Sequence, residues 1–197
     1  MKSIEENIRL AIDKAAAGSI IFPEDFDEYG TPNAVNVTLH RLSKIKYIER
    51  MGYGIYAKPK QSKLLGQILP TTDEVAKAIA KRDRARILPT GSYASYLLGL
   101  STQLPLKIVY LTDGSARKVK VGKSVIVFKK VAPKQLAMEG ELSKLVVQAL
   151  KEIGKDNITE KEEKIIMDQL KKEDTKKLRN DIALAPQWIG EIMAKAL

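Results

Sequence analysis

Between Thr31 and Pro59 the chain reads TPNAVNVTLHRLSKIKYIERMGYGIYAKP, and its hydrophobic period changes once, from helical to strand-like spacing. Thr31 and Pro32 open the helical part: a threonine hydroxyl accepts from an otherwise unpaired amide, and a first-turn proline has no amide to leave unpaired. Val35, Leu39, Leu42 and Lys46 share one face at helical spacing, and Asn33, Val37, His40 and Lys44 form the opposite face, flanked by Asn36 and Arg41. YIERM and GIYAKP then read as two short strands with a turn at Gly52-Tyr53, leaving Tyr47, Tyr53 and Tyr56 to pack or stack. One short stretch thus requires a helix feeding directly into a hairpin.

What precedes it narrows the choice. Ser3 with Glu6 three residues later has capping-box spacing, and Ile4, Ile8, Ala11 and Ile12 fall on one face of a first helix predicted to run to Gly18. SIIF is too short for a helix and reads as a strand, and PEDFDEYG as a short helix begun by Pro23 and stopped by Gly30. Helix, strand, helix, helix, hairpin is the order of a winged helix-turn-helix, here over residues 1–60. In that arrangement the third helix enters the major groove and the hairpin wing meets adjacent phosphates. Asn33 and Asn36 suit adenine edges, Arg41 a guanine or phosphate, and Lys44, Lys46 and Arg50 phosphates; Thr31, His40 and Tyr53 complete the predicted DNA-binding set. The same face also reads as the solvated side of a protein-docking module, and His40 as an ordinary surface or packing residue.

Charge is distributed unevenly along the 197 residues, whose formal net charge is +10. Residues 1–30 carry seven acids to three bases, residues 31–60 six bases to one acid, and residues 103–135 eight bases to one acid. Residues 136–197 are nearly balanced. Clustered cations favour a polyanion because binding releases its condensed counterions. A hydrophobic content of 44% supports a buried core. The absence of cysteine excludes disulfides and thiolate metal sites, and a single histidine excludes a His-rich one, so no metal or cofactor is expected. No apolar run approaches the roughly 20 residues of a membrane span. MKSIEENIRL has acids where a signal peptide has a basic and then an apolar segment, which points to a cytoplasmic location.

Residues 61–70 read as a connector, and residues 71–197 as a small mixed domain, making the whole chain α+β. TTDEVAKAIAKRDRA is a capped helix, ILPTG an extended segment, and SYASYLLGL a mostly buried helix ending at Gly99. LKIVYLTDG, RKVKVG and SVIVFKKV predict an antiparallel sheet with turns at Asp113-Gly114 and Gly122-Lys123. Val119 and Val121 alternate with Lys118 and Lys120, so one face is expected to be basic; Arg117, Lys118, Lys120, Lys123, Lys129 and Lys130 form a candidate secondary basic surface. C-terminal helices follow: a stripe from Leu142 to Ile153 fit for a core or a homodimer, a helix opened by Thr159, and two helices separated at Pro186, with Trp188 placed for core packing.

Catalytic patterns fail on inspection. VGKS resembles a phosphate loop, but the required earlier glycine is Arg117. Gly91-Ser92 followed by a strand ending in Asp113 suggests a nucleotidyltransferase, yet that chemistry needs paired carboxylates for two metal ions and no second acid follows until Glu139. His40 alone cannot complete a serine triad, and Ser92 reads as a helix cap. The chain is therefore expected not to be an enzyme.

The segment PTGSYASYLLGLSTQLPLKIVYLTDGSARKVKVGKSVIVFKK, preceded by GYGIYAKP, resembles the AbiEi-type antitoxins of bacterial type IV toxin-antitoxin systems, with the likeness covering roughly residues 1–135. That resemblance implies an N-terminal winged helix binding double-stranded operator DNA as an autorepressor. It also implies a following domain that counters a nucleotidyltransferase-type toxin. Two other readings stand beside it: an interaction module docking an acidic protein through the basic sheet and C-terminal helices, and a degenerate nucleotidyltransferase relative.

Overall fold

Ser3 caps the first helix as its spacing predicts: its hydroxyl accepts from the Glu6 amide at 3.2 Å, and the Glu6 carboxylate accepts the Ser3 amide at 2.6 Å. The structure, a computed structural model, describes residues 3–197. The chain divides into two compact units, the first reaching to Ile79 and including Val119–Lys123, the second comprising Ala80–Lys118 and Ser124–Leu197. The division falls inside a helix, so residues 61–70 belong wholly to the first unit. Among the described residues no helix is long and apolar enough to cross a membrane.

The first unit contains α1 (Ile4–Lys14), β1 (Ile20–Ile21), a 3-10 segment (Pro23–Tyr29), α2 (Pro32–Lys44), β2 (Glu49–Gly52) and β3 (Ile55–Ala57). β4 (Lys60–Ser62), β5 (Gly66–Ile68) and the start of α3 (Thr72–Arg82) complete it. Strand order β1-β3-β2 makes a three-stranded antiparallel sheet. Ile8 and Ile12 of α1, Val35, Leu39 and Leu42 of α2, and Phe26, Ile48 and Tyr56 bury together as its core.

Four local expectations change here. α1 stops at Lys14 rather than Gly18: Ala15 turns to an extended conformation, φ −67° and ψ 148°, and the Lys58 ammonium donates to the Asp13 and Ala15 carbonyls, both at 2.9 Å, at the helix C-terminus where a cation is favoured. α2 stops at Lys44. Lys46 takes a left-handed φ of 62°, its amide donating to Ser43 and the Tyr47 amide to Leu42, a Schellman closure that removes Lys46 from the helical face and puts Ile48 into the core instead. The β2–β3 turn falls at Tyr53-Gly54, with Gly54 at φ 63°, while Gly52 remains in β2, where a Cβ would lie 2.6 Å from the Lys120 carbonyl oxygen. The predicted connector is an antiparallel hairpin, β4–β5, closed by the Ser62 hydroxyl accepting from the Leu64 and Leu65 amides, each at 3.3 Å.

The second unit contains β6 (Ile87–Thr90), α4 (Ser92–Leu97), β7 (Lys107–Thr112), β8 (Arg117–Val121, shared with the first unit) and β9 (Ser124–Lys130). A 3-10 turn, Pro133–Leu136, leads to α5 (Glu141–Ile153), α6 (Glu160–Leu170), α7 (Thr175–Leu184) and α8 (Gln187–Ala194). The sheet order is β6-β7-β9-β8, with β6 and β7 antiparallel but β7 and β9 parallel. The fold is thus α+β with C-terminal helices, but its larger sheet is mixed, not purely antiparallel. β9 inserts between β7 and β8, so Asp113-Gly114 opens a connection between non-neighbours and is not a hairpin turn. Val146, Val147, Ala149 and Leu150 of α5 pack with Ala94, Leu98, Ile166, Leu170, Leu178, Ile189 and Met193, and Trp188 lies partly buried against them. The α5 stripe is taken up by this core.

Candidate nucleic-acid interface

α2 presents two chemically distinct faces. Val35, Thr38, Leu39 and Leu42 are buried, whereas Asn33, Asn36, Val37, His40, Arg41 and Lys44 are exposed, and the helix holds no carboxylate. Burial of the leucine face at roughly 1.5–3 kcal/mol per side chain fixes the rotation of the helix, and that rotation turns the polar set outward. Thr31 accepts from the Ala34 amide at 3.4 Å, so its hydroxyl oxygen serves the cap. Asn36 Nδ2 donates to the Pro32 carbonyl at 2.8 Å, which leaves its Oδ1 and second N–H for a partner.

The hairpin residues divide. Tyr53 is 93% exposed at the β2–β3 turn, whereas Tyr56 lies in the core, where burial raises its phenol pKa. Tyr47 donates to the Asp13 carboxylate and lies under the Arg9 guanidinium, 4.8 Å from its ring centroid. Tyr53 alone of the three is open for stacking. Arg50 is exposed on β2, with Nε donating to the Gly52 carbonyl at 3.3 Å. Lys46 lies in the Schellman turn, 3.4 Å from Glu49, so its charge is partly answered within the chain.

The secondary basic surface does not form as one face. Lys118 and Lys120 are exposed and alternate with Val119 and Val121 as predicted. Arg117 sits on the valine side: its guanidinium pairs with Asp83 and lies 5.4 Å from the Phe128 ring centroid. Partial burial pushes the Asp83 carboxyl up, but the bonds from Arg82 and Arg117 outweigh it and hold the group below its usual range. Lys129 and Lys130 are exposed but consecutive in β9, so pleating directs them to opposite sides. Lys120 and Lys123 group with the first unit, where the Gly122 amide donates to the Met51 carbonyl at 3.2 Å, next to the β2 strand.

Residues weighed for catalysis have structural roles. Gly91, at φ 62°, is the N-cap of α4, and Ser92 is its first helical residue rather than the cap. Both oxygens of Asp113 are occupied, one by the Arg86 amide and one by Arg86 Nε, each at 2.8 Å. A cavity of about 460 Å³ in the second unit is lined by none of the predicted site residues. The β4–β5 hairpin, with exposed Lys60 and Lys63, is the element that sequence reasoning missed; its signal was Ser62 and Gly66 bracketing a three-residue loop.

A family model matches residues 5–178 of this chain. The chain belongs to the Family of unknown function (DUF6088). No curated protein matches this DUF6088 chain. Among solved structures, it is similar to the crystal structure of RV2827C protein from Mycobacterium tuberculosis, with 13% identity and a TM-score of 0.46, over 98% of this chain and 81% of that one.

Proposed function

We propose that the first unit is a winged helix-turn-helix that binds double-stranded operator DNA, with α2 as the recognition helix and β2–β3 as the wing. On this reading the chain is an autorepressing antitoxin whose counterpart is a nucleotidyltransferase-type toxin, and is not itself an enzyme. The observation that carries the DNA assignment is the outer face of α2: Asn33, Asn36, His40, Arg41 and Lys44 exposed together, without an acid, over a fully packed inner face. At 13 residues the helix is about 20 Å long, a length the major groove accommodates. Arg50 and Tyr53 supply the wing with a cation for phosphate and an aromatic surface. The antitoxin assignment draws on the resemblance carried by residues 1–135.

A gel-shift titration with duplex from upstream of its own gene, against a scrambled duplex, tests the reading. Wild type is expected to shift the native duplex preferentially, and Arg41→Ala to cost about 1–3 kcal/mol and relax the preference if Arg41 reads a base. Equal binding to both duplexes, unaffected by Arg41→Ala, would refute the recognition-helix assignment.

A further inference from the structure

We infer that the β4–β5 hairpin is a second DNA-contacting element, its lysines on phosphates and its Leu64-Leu65 tip wedged into the minor groove; the inference rests on the operator-binding reading of the first unit. The two strands pair only with each other and belong to neither larger sheet. Leu64 is 95% exposed and Leu65 77%, the most exposed leucines among the described residues. Two-stranded hairpins are marginal in water, and apolar side chains at the tip of one contribute nothing to a core. A partner gives them a role.

Charge selects the partner. From Arg50 to Thr72 the chain contains no Asp or Glu but carries Arg50, Lys58, Lys60 and Lys63. Lys58 is held by the α1 carbonyls, which leaves Lys60 and Lys63, both exposed, as the hairpin's own cations. A basic, acid-free ribbon complements a polyanion. Two leucine side chains offer far less than the roughly 1,200 Å² that a stable protein interface buries. They do suffice for a wedge, because unstacking a base step takes only one or two apolar groups on a basic support, and the bend so produced wraps more protein surface. The tip is also pre-shaped: Ser62 accepts from both leucine amides, and Gly66, paired with Ser62, takes φ 69°. Fewer torsions then need freezing on contact.

The test uses the full chain on the upstream duplex labelled at both ends for energy transfer, with Leu64→Ser/Leu65→Ser, Lys60→Ala/Lys63→Ala and Arg41→Ala/Lys44→Ala compared to wild type. All six positions are exposed, and circular dichroism melts confirm folding. Wild type is expected to shorten the end-to-end distance on binding. The leucine pair should abolish that shortening with less than a tenfold loss of affinity, and the lysine pair should lower the salt slope by about 2. The inference is overturned if wild type binds without bending, if the leucine pair bends as wild type does, or if the lysine pair leaves the slope unchanged. In each of those cases, loss of binding by Arg41→Ala/Lys44→Ala would leave the α2 reading standing. If wild type does not bind at all, both readings fall. A leucine pair that bends DNA normally but changes elution on gel filtration would identify the tip as a self-association surface instead.

Discussion

Asp181 is fully buried in α7, and its two oxygens accept the Glu139 amide at 2.9 Å and the Gly140 amide at 2.8 Å. Gly140 is the N-cap of α5 and has no side chain with which to cap it, so the first amides of the helix need other acceptors. Glu173 supplies one, accepting from Leu142 at 2.7 Å and from Ser143 at 3.3 Å. Two carboxylates remote in sequence thus replace a local cap and also answer the positive end of the helix dipole. A Cβ on Gly140 would lie 2.7 Å from an oxygen of each. Asp181→Ala should destabilise the protein by about 3 kcal/mol, because it leaves the Glu139 and Gly140 amides without their acceptor beside a buried side chain. Urea denaturation reads this directly, and a midpoint unchanged from wild type would contradict it. None of this was legible in the sequence, where Asp181 sits in an ordinary amphipathic helix. Lys46 was misplaced because periodicity extends a helical face past the point where the backbone leaves it. Arg117 was grouped with the lysines by its charge, although strand alternation puts it on the face of Val119 and Val121.

Elements were legible where their signals are local. Ser3 with Glu6, Thr31 with Pro32, and Thr159 begin helices where the sequence predicts them. The outer face of α2 was also readable, since it depends only on the 3.6-residue period and on which side is apolar. The β4–β5 hairpin was not, because an apolar tip contradicts the usual polarity of a turn. The parallel pairing of β7 with β9 was not, because strand order is set by non-local contacts. Asp113 marks that altered topology: it binds the start of β6 to the end of β7 through Arg86, and the Arg86 side-chain and backbone bonds hold its carboxyl below its usual range. A folded-state pKa below the unfolded value of about 3.9 adds stability that is present above that value and is lost as pH falls through the folded one. Asp113→Asn should therefore be less stable than wild type at pH 7 and lose less on acidification. Urea midpoints measured from neutral pH down to about pH 3 test this; parallel losses in the two proteins would rule out the Asp113 pin as a source of acid sensitivity.

At the scale of the whole molecule, charge and fold divide along different lines. The acids of residues 1–30 lie mostly on α1 and the 3-10 segment, while Arg41, Lys44, Arg50, Lys60 and Lys63 lie on α2, the β2–β3 hairpin and the β4–β5 hairpin of the same unit. On the proposed reading these five exposed cations meet phosphates or bases. The second unit, with a mixed sheet and a helical core of its own, is where the proposed antitoxin activity would reside. The most direct measurement is the salt dependence of binding by the full chain to its upstream duplex, followed by fluorescence anisotropy. Four or five phosphate contacts predict a log–log slope of about −4 to −5, and Arg41→Ala/Lys44→Ala should reduce its magnitude by about 1 if Arg41 reads a base and by about 2 if it meets a phosphate. No binding at the lowest salt, or a slope that the α2 variant leaves unchanged, would contradict the account.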